Sequence, residues 1–231
     1  MLYWICNWFL EFNLKEWCLV NIQTNDFLNA LGDSTNVAGG GSAAALVGAV
    51  AASLVKKVYD NEKNKNRHTD KTDEIDNRIH SLEEIQEGLQ GLIDEDPKAL
   101  EPLIQAYKMS KETVEEKEAR HAEIQSGIET AARPQVEILE LLTEIAIHQE
   151  YLVKIQPQGE IVTNLAESLL FTDAAFKVAH IGARTNYEAL SEEEKREERL
   201  EHIETLLTIG RDRIANAYES VSKFLEDKEW A

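Results

Sequence analysis

Apolar residues recur every three or four positions through most of this chain, and no stretch alternates in the manner of a strand, so the pattern predicts helices throughout. A short helix is predicted over 24–31, capped by Thr24 and stopped at Gly32. Residues 41–60 read as an Ala-rich helix, and the polar run 61–71 as a loop or a frayed helix end. Ile75, Ile79, Leu82, Ile85, Leu89 and Leu92 place a helix over 73–93. Asp96-Pro97 is predicted to open another, reaching 107, because proline suits the first helical position and aspartate caps well. Two more are predicted over 111–132 and 134–155, with Pro134 breaking or kinking between them. The last two are 161–190 and 191–225, the second with the capping-box spacing of Ser191 and Glu194. No repeat and no dividing linker is visible. The expectation is an all-α fold: one domain over residues 21–231, a long-helix bundle of about seven or eight helices.

The first twenty residues break this pattern. MLYWICNWFLEFNLKEWCLV holds three of the chain's four Trp and both Cys, Cys6 and Cys18. It lacks the basic start and small-residue cleavage site of a signal peptide. Glu11, Lys15 and Glu16 interrupt it too often for a membrane span. Residues 1–20 read either as an atypical aromatic extension or as an over-called start, with the true start near Leu19 or Val20. Neither reading offers a disulfide framework or a cysteine metal site.

Charge narrows the function. There are 24 Lys plus Arg against 43 Asp plus Glu, a formal net charge of −19. Such a chain is not expected to bind nucleic acid, where a basic face must neutralise phosphates. The six histidines share no metal-ligand spacing, so no metal is expected.

One stretch stands apart: NVAGGGSAAALVGAVAASLV, residues 36–55. No Lys follows its last glycine, as a phosphate loop requires, and no strand precedes it, as a dinucleotide fingerprint requires. Ala and Gly insert weakly into membranes, so no span is expected. Ala44, Gly48 and Ala52 share one helical face, as do Ala45, Ala49 and Ser53. Small faces of this kind let another backbone approach closely. Glycines at a helix start also leave N–H groups open to a ligand.

FLNALGDSTNVAGGGSAAALVGAVAASLV resembles the opening of the cyclodeaminase/cyclohydrolase family, where a short helix leads to a Pro-Gly-Gly-Gly-Ser turn and an Ala-rich helix. Ala38 stands where that family has proline. The resemblance continues through LIDEDPKALEPLIQAYKMSK, similar to the family's Asp-x-Asp-x-x-Ala-Phe and Ala-Tyr-x-Leu-Pro-Lys segments, and through ETVEEKEARHAEIQSGIETAARP. GEIVTNLAES and AHIGARTN match more loosely. Together these cover roughly residues 25–225.

The resemblance implies folate one-carbon chemistry. The expected reaction is 5-formimidoyltetrahydrofolate to 5,10-methenyltetrahydrofolate plus ammonia, or hydrolysis of the methenyl compound to 10-formyltetrahydrofolate. It also implies the all-helical fold of the formiminotransferase-cyclodeaminase C-terminal domain, a homodimer or higher oligomer, a cytoplasmic setting, no metal and no resident cofactor. Its proposed catalytic carboxylate, the second acid of Asp-x-Asp, falls on Asp96; Asp94 is the weaker candidate. As a bare residue, Asp96 before Pro97 equally reads as a helix cap. The implied substrate contacts are Gly39, Gly40, Gly41, Ser42, Thr163 and Asn164, with Lys65 and Lys111 for the glutamate tail of tetrahydrofolate. Lys65 and Lys111 also read as solvated charges, and Tyr107 as either a pterin stack or a core residue. Two departures bear on activity. Thr163-Asn164 replaces the family's Ser-Asp, and Gly182 begins a segment that keeps only the final Asn186 of an Asn-Val-x-Ile-Asn pattern. The alternatives are a folate-binding relative without catalysis and a helical interaction protein.

Overall fold

The computed structural model describes residues 24–230. The expectations for residues 1–20 fall outside them. The chain divides into two compact units, residues up to 39 and residues from 40 onward. In the first, helix α1 covers 24–32. A tight turn follows, in which the Asp33 carboxylate accepts the Thr35 N–H and hydroxyl, both at 2.8 Å.

The second unit holds α2 (Gly40–Asn64), a 3-10 turn (Thr69–Lys71), α3 (Thr72–Lys108), α4 (Val114–Ile155), α5 (Val162–Tyr187) and α6 (Glu193–Asp227). The described residues contain no strand. The all-α expectation holds, with six α-helices among the described residues in place of seven or eight. Two pairs of predicted helices are single rods. Pro97 and Pro102 lie inside α3, and Pro134 lies inside α4.

The buried face explains why α3 does not stop at Pro97. Leu89, Leu92, Asp96, Ala99, Leu103 and Ala106 are all buried, spaced alternately by three and four residues. A proline inside a helix leaves the carbonyl four residues back without its donor. For Pro97 that carbonyl belongs to Ile93, and the Ser42 hydroxyl of α2 donates to it at 2.9 Å. For Pro102 it belongs to Lys98, which is exposed to solvent.

Helix starts also differ from expectation. α6 begins at Glu193 without a side-chain cap, and Ser191 instead bonds Gln125 Oε1 through its N–H at 2.7 Å and its hydroxyl at 3.0 Å. The capping box is at α4, between Thr113 and Glu116. There the Glu116 carboxylate also gathers the Ser110 hydroxyl at 2.7 Å.

The Ala-rich α2 packs against α3, α4 and α5. Ala44, Ala45, Gly48, Ala49 and Ala52 are buried, while Ser53 is exposed. A Cβ on Gly48 would lie 3.0 Å from Leu142 and 3.2 Å from Leu89, so small residues there set the spacing of three helices. By length and composition α2 could cross a membrane, yet 56% of its most apolar window is buried inside the bundle.

A polar cluster sits within this core. Tyr59 donates to the His148 carbonyl at 2.9 Å, and Ser81 Oγ lies 3.2 Å from His148 Nε2. The Arg78 guanidinium lies 3.6 Å from the centre of the Tyr151 ring. Burial, and then the charge of Arg78, push the His148 pKa down to about 4. An unfolded histidine titrates near 6.5. The folded state therefore disfavours the imidazolium: stability is full above pH ~6.5 and is lost as the pH falls toward ~4. Denaturant unfolding at pH 7 and 4.5 should show wild type losing about 2–3 kcal/mol more than His148→Gln, which has no proton to take up. An equal loss in the two proteins would mean that His148 protonates freely in the fold.

Candidate active site

The N-terminal turn of α2 meets the middle of α3 at Asp96. The Asp96 side chain is 7% exposed. Its Oδ2 accepts the Ser42 backbone N–H at 3.0 Å and lies 3.3 Å from the Ser42 hydroxyl. Asp96 therefore does not cap its own helix, as the Asp-Pro pair suggested. It satisfies a first-turn N–H of α2, a donor that has no partner within its own helix.

Glycine is required for this approach. A Cβ on Gly41 would overlap the Asp96 carboxylate group itself. The glycine run thus lets a side chain of the same bundle reach the α2 backbone. Gly40 is less constrained: its Cβ would meet Val178 of α5 at 3.4 Å. Gly39 is the last residue of the first unit.

The other carboxylate oxygen, Oδ1, accepts from Gln135 Nε2 of α4 at 3.2 Å. Gln135 Oε1 in turn accepts from Asn186 Nδ2 of α5 at 3.2 Å. A Cβ on Gly182 would come within 2.8 Å of the Gln135 amide. Four helices therefore converge on one carboxylate, and the groups hydrogen-bonded to it are neutral. Such a carboxylate keeps its charge available for a proton or a cationic carbon, which an ion-paired acid would not.

Neither Gln135 nor the constructive role of Gly182 was visible in the sequence. The signal within reach was Asp96 itself, an acid lying in register with the buried apolar stripe of α3. Asp94, two residues away, is exposed.

The remaining candidates lie elsewhere in the chain. Lys65 follows the far end of α2, roughly 35 Å from Ser42 at 1.5 Å per helical residue. It is exposed, beside a cavity of about 280 Å³ lined by Glu62, Asn66, His68 and Thr69 among others. Tyr107 is 53% exposed, which overturns the core reading; Arg120 donates to its carbonyl at 3.2 Å. It stands roughly 16 Å along α3 from Asp96. Lys111 is exposed beyond the end of α3. Thr163 and Asn164 open α5, roughly 28 Å along that helix from Gly182, and the Thr163 hydroxyl bonds Glu160 O at 2.8 Å. A single chain brings Gly40, Gly41, Ser42 and Asp96 together, and none of Lys65, Thr163 and Asn164 joins them.

Comparison with known proteins bears on this arrangement. Over 201 residues the chain is 28% identical to a methenyltetrahydrofolate cyclohydrolase of Methylorubrum extorquens, covering 87% of this chain and 96% of that protein. Its fold is similar to the crystal structure of formiminotetrahydrofolate cyclodeaminase from Thermotoga maritima. The TM-score is 0.73 at 23% identity, over 95% of this chain and 98% of that one. Residues 23–205 match the formiminotransferase-cyclodeaminase family, which takes in α1 to α5, the glycine run, Asp96 and Asn186. The chain belongs to that family.

Proposed function

We propose that this chain is a folate one-carbon enzyme, acting on the carbon held between N5 and N10 of tetrahydrofolate, with Asp96 as its catalytic carboxylate. The observation that carries this reading is the placement of Asp96: buried, held by neutral donors, and set against the glycine backbone of α2. Gly40, Gly41 and Ser42 form the surface on which the reacting carbon rests. Hydrolysis of 5,10-methenyltetrahydrofolate is the favoured direction, supported by the relative from Methylorubrum extorquens.

In that direction water adds to the cationic carbon and Asp96 takes a proton from it. Asp96 then gives the proton to N5 as the C–N5 bond breaks. The remaining hydroxyl proton leaves to solvent, and the carbon stays on N10 as a formyl group. The same residue serves the cyclodeaminase direction. N10 attacks the carbon of the protonated formimidoyl group (N5–CH=NH2+), Asp96 carries the N10 proton to the departing nitrogen, and ammonia leaves with the positive charge kept on the methenyl carbon that the carboxylate faces. Neither route requires a metal or a resident cofactor.

The experiment is an absorbance assay for methenyltetrahydrofolate, run once with the methenyl compound and once with the formimidoyl compound. Loss of signal in the first defines a hydrolase, and gain in the second defines a deaminase. Binding without turnover in either would leave a folate-binding relative, and no binding would leave an interaction protein.

Assembly as a homodimer belongs to the same reading. Leu170, Phe171, Val178 and Ile181 are exposed and fall on one face of α5. Val50 of the neighbouring α2 is exposed as well. An apolar row on one helix is self-complementary across a two-fold axis, so a second copy is its natural partner. Gly182, beside Ile181 on α5, touches Gln135, so the row ends next to the Asp96 site. Light scattering should give a dimer for wild type and a monomer for the Leu170→Glu, Ile181→Glu double variant. A double variant of unchanged mass would place the interface elsewhere.

A further inference from the structure

The geometry points to Gln135 as the positioning residue that lets Asp96 carry a proton in both directions, by turning its carboxamide over as Asp96 changes charge. This rests on the functional reading above.

A carboxylate only accepts hydrogen bonds. Facing ionised Asp96, Gln135 must present Nε2, as it does at 3.2 Å. Its Oε1 must then find a donor, and Asn186 Nδ2 supplies one at 3.2 Å. The direction of every bond along Asn186, Gln135 and Asp96 is therefore set by the charge on Asp96. The two oxygens of Asp96 are not equivalent. Oδ2 faces the Ser42 backbone N–H, which can only donate, so protonation there would set donor against donor. The Ser42 hydroxyl donates to Ile93 O at 2.9 Å and stands 3.3 Å from Oδ2, so a proton on Oδ2 would find only that longer acceptor beside the opposing N–H. Oδ1 faces a group that can reverse.

When Oδ1 gains a proton, its O–H donates to Gln135 Oε1 once the amide turns by half a revolution. Gln135 Nε2 then donates to Asn186 Oδ1, which turns in the same sense. Asn186 is partly exposed, so water meets its outer end in either state. Lysine or arginine at 135 could only donate and would hold Asp96 ionised. Glutamate would oppose ionisation. A carboxamide alone among charged and amide side chains serves both halves of the cycle.

Space gives an independent argument. A Cβ on Gly182 would lie 2.8 Å from Gln135 Cδ and Oε1 and 3.0 Å from Nε2. A larger residue there displaces the amide in either orientation, so Gly182 is the clearance in which it turns. Charged groups nearby are engaged elsewhere. On α3, Asp94, Glu95 and Lys98 are exposed. On α4, Arg133 pairs with Glu95 at 3.5 Å and Glu137 at 3.7 Å. On α5, Arg184 bonds Glu188 at 2.8 Å, and both Arg184 and His180 reach Glu204 at 3.0 Å. From Gly40 to Val55, α2 carries no charged residue.

The test is the pH profile of kcat/KM for wild type, Gln135→Met and Gln135→Glu, with thermal melting as a check on folding. Methionine keeps the shape and loses the donor, so the acid limb should move up by about one pH unit. Glutamate should move it further. A merely structural role would lower activity evenly and leave the limb in place. If Gln135→Met does not fold, Asn186→Ala at its partly exposed position is the second variant, expected to move the limb up by about half a unit. An unmoved limb in the variant that folds overturns the relay. Asp96→Asn separates the two levels: full turnover there overturns the functional reading and the relay with it. An inactive Asp96→Asn beside an unmoved limb overturns the relay alone.

Discussion

Asp96→Asn should lower turnover by about 10²–10⁴-fold, the usual worth of a positioned acid–base group, while leaving the melting temperature close to that of wild type. Asparagine is nearly isosteric, and its carbonyl oxygen still accepts the Ser42 N–H that Asp96 accepts at 3.0 Å. Its amide nitrogen would face Gln135, whose carboxamide can turn to present oxygen. Stability is thus retained through the contact with α2, not through capping of α3, where Asp96 is a mid-helix residue. Asp96→Ala should behave differently. It abandons the Ser42 N–H and the Gln135 amide in a buried place, at a cost of about 1–3 kcal/mol each if no water enters. Exposed Asp94 supplies the control, and Asp94→Asn should be indistinguishable from wild type. Stopped-flow absorbance of the methenyl compound, beside thermal melts, reads all three variants. Wild-type turnover in Asp96→Asn would remove Asp96 from the chemistry.

Gly41→Ala should damage both stability and activity. Its Cβ would overlap all three atoms of the Asp96 carboxylate group, which is itself pinned from α4 by Gln135. Relief requires the α2 start to move away from α3, or Asp96 to leave its rotamer. Either breaks the Ser42 contact. Overpacking of this sort costs about 1–3 kcal/mol, partly offset by the better helix propensity of alanine. Activity should fall as far as in Asp96→Asn, since the carboxylate is displaced rather than removed. Gly40→Ala is the matched comparison, because its Cβ would meet Val178 at an ordinary 3.4 Å. Equal melting temperatures in the two alanine variants would show that Gly41 is not there to seat Asp96.

The sequence pattern carried the fold class and most helix positions, because burial repeats every three or four residues whatever the helix packs against. It misplaced the breaks. Pro97 and Pro134 are strong local stop signals, and their effect was overridden by apolar stripes that run straight through both positions. A strict reading of register would have found this, since Leu92, Asp96, Ala99 and Leu103 keep one face. The same reading would have marked Asp96 as buried rather than capping. The glycine run was legible as a place of close approach, but not the identity of what approaches. Asp96 lies 54 residues from Ser42 and 39 from Gln135, and such pairings are decided by how long helices cross. Gly182 shows the limit most clearly. Taken alone it is a missing side chain, and only the packing of α4 against α5 reveals that Gln135 occupies the vacated volume.

The bond from Ser42 to the Ile93 carbonyl ties two distant positions into one inherited unit. Proline at 97 makes a hydroxyl at 42 necessary, and an N–H at 97 would make it redundant. Substitutions at the two sites are therefore not independent in order. A lineage that first lost Ser42 would pass through a protein with a stranded carbonyl beside its reactive carboxylate. One that first lost Pro97 would not, because the helix would supply its own donor before the hydroxyl was released. Drift at this junction thus has an easy direction and a hard one, and the Ile93 carbonyl stops constraining Ser42 only once Pro97 is gone.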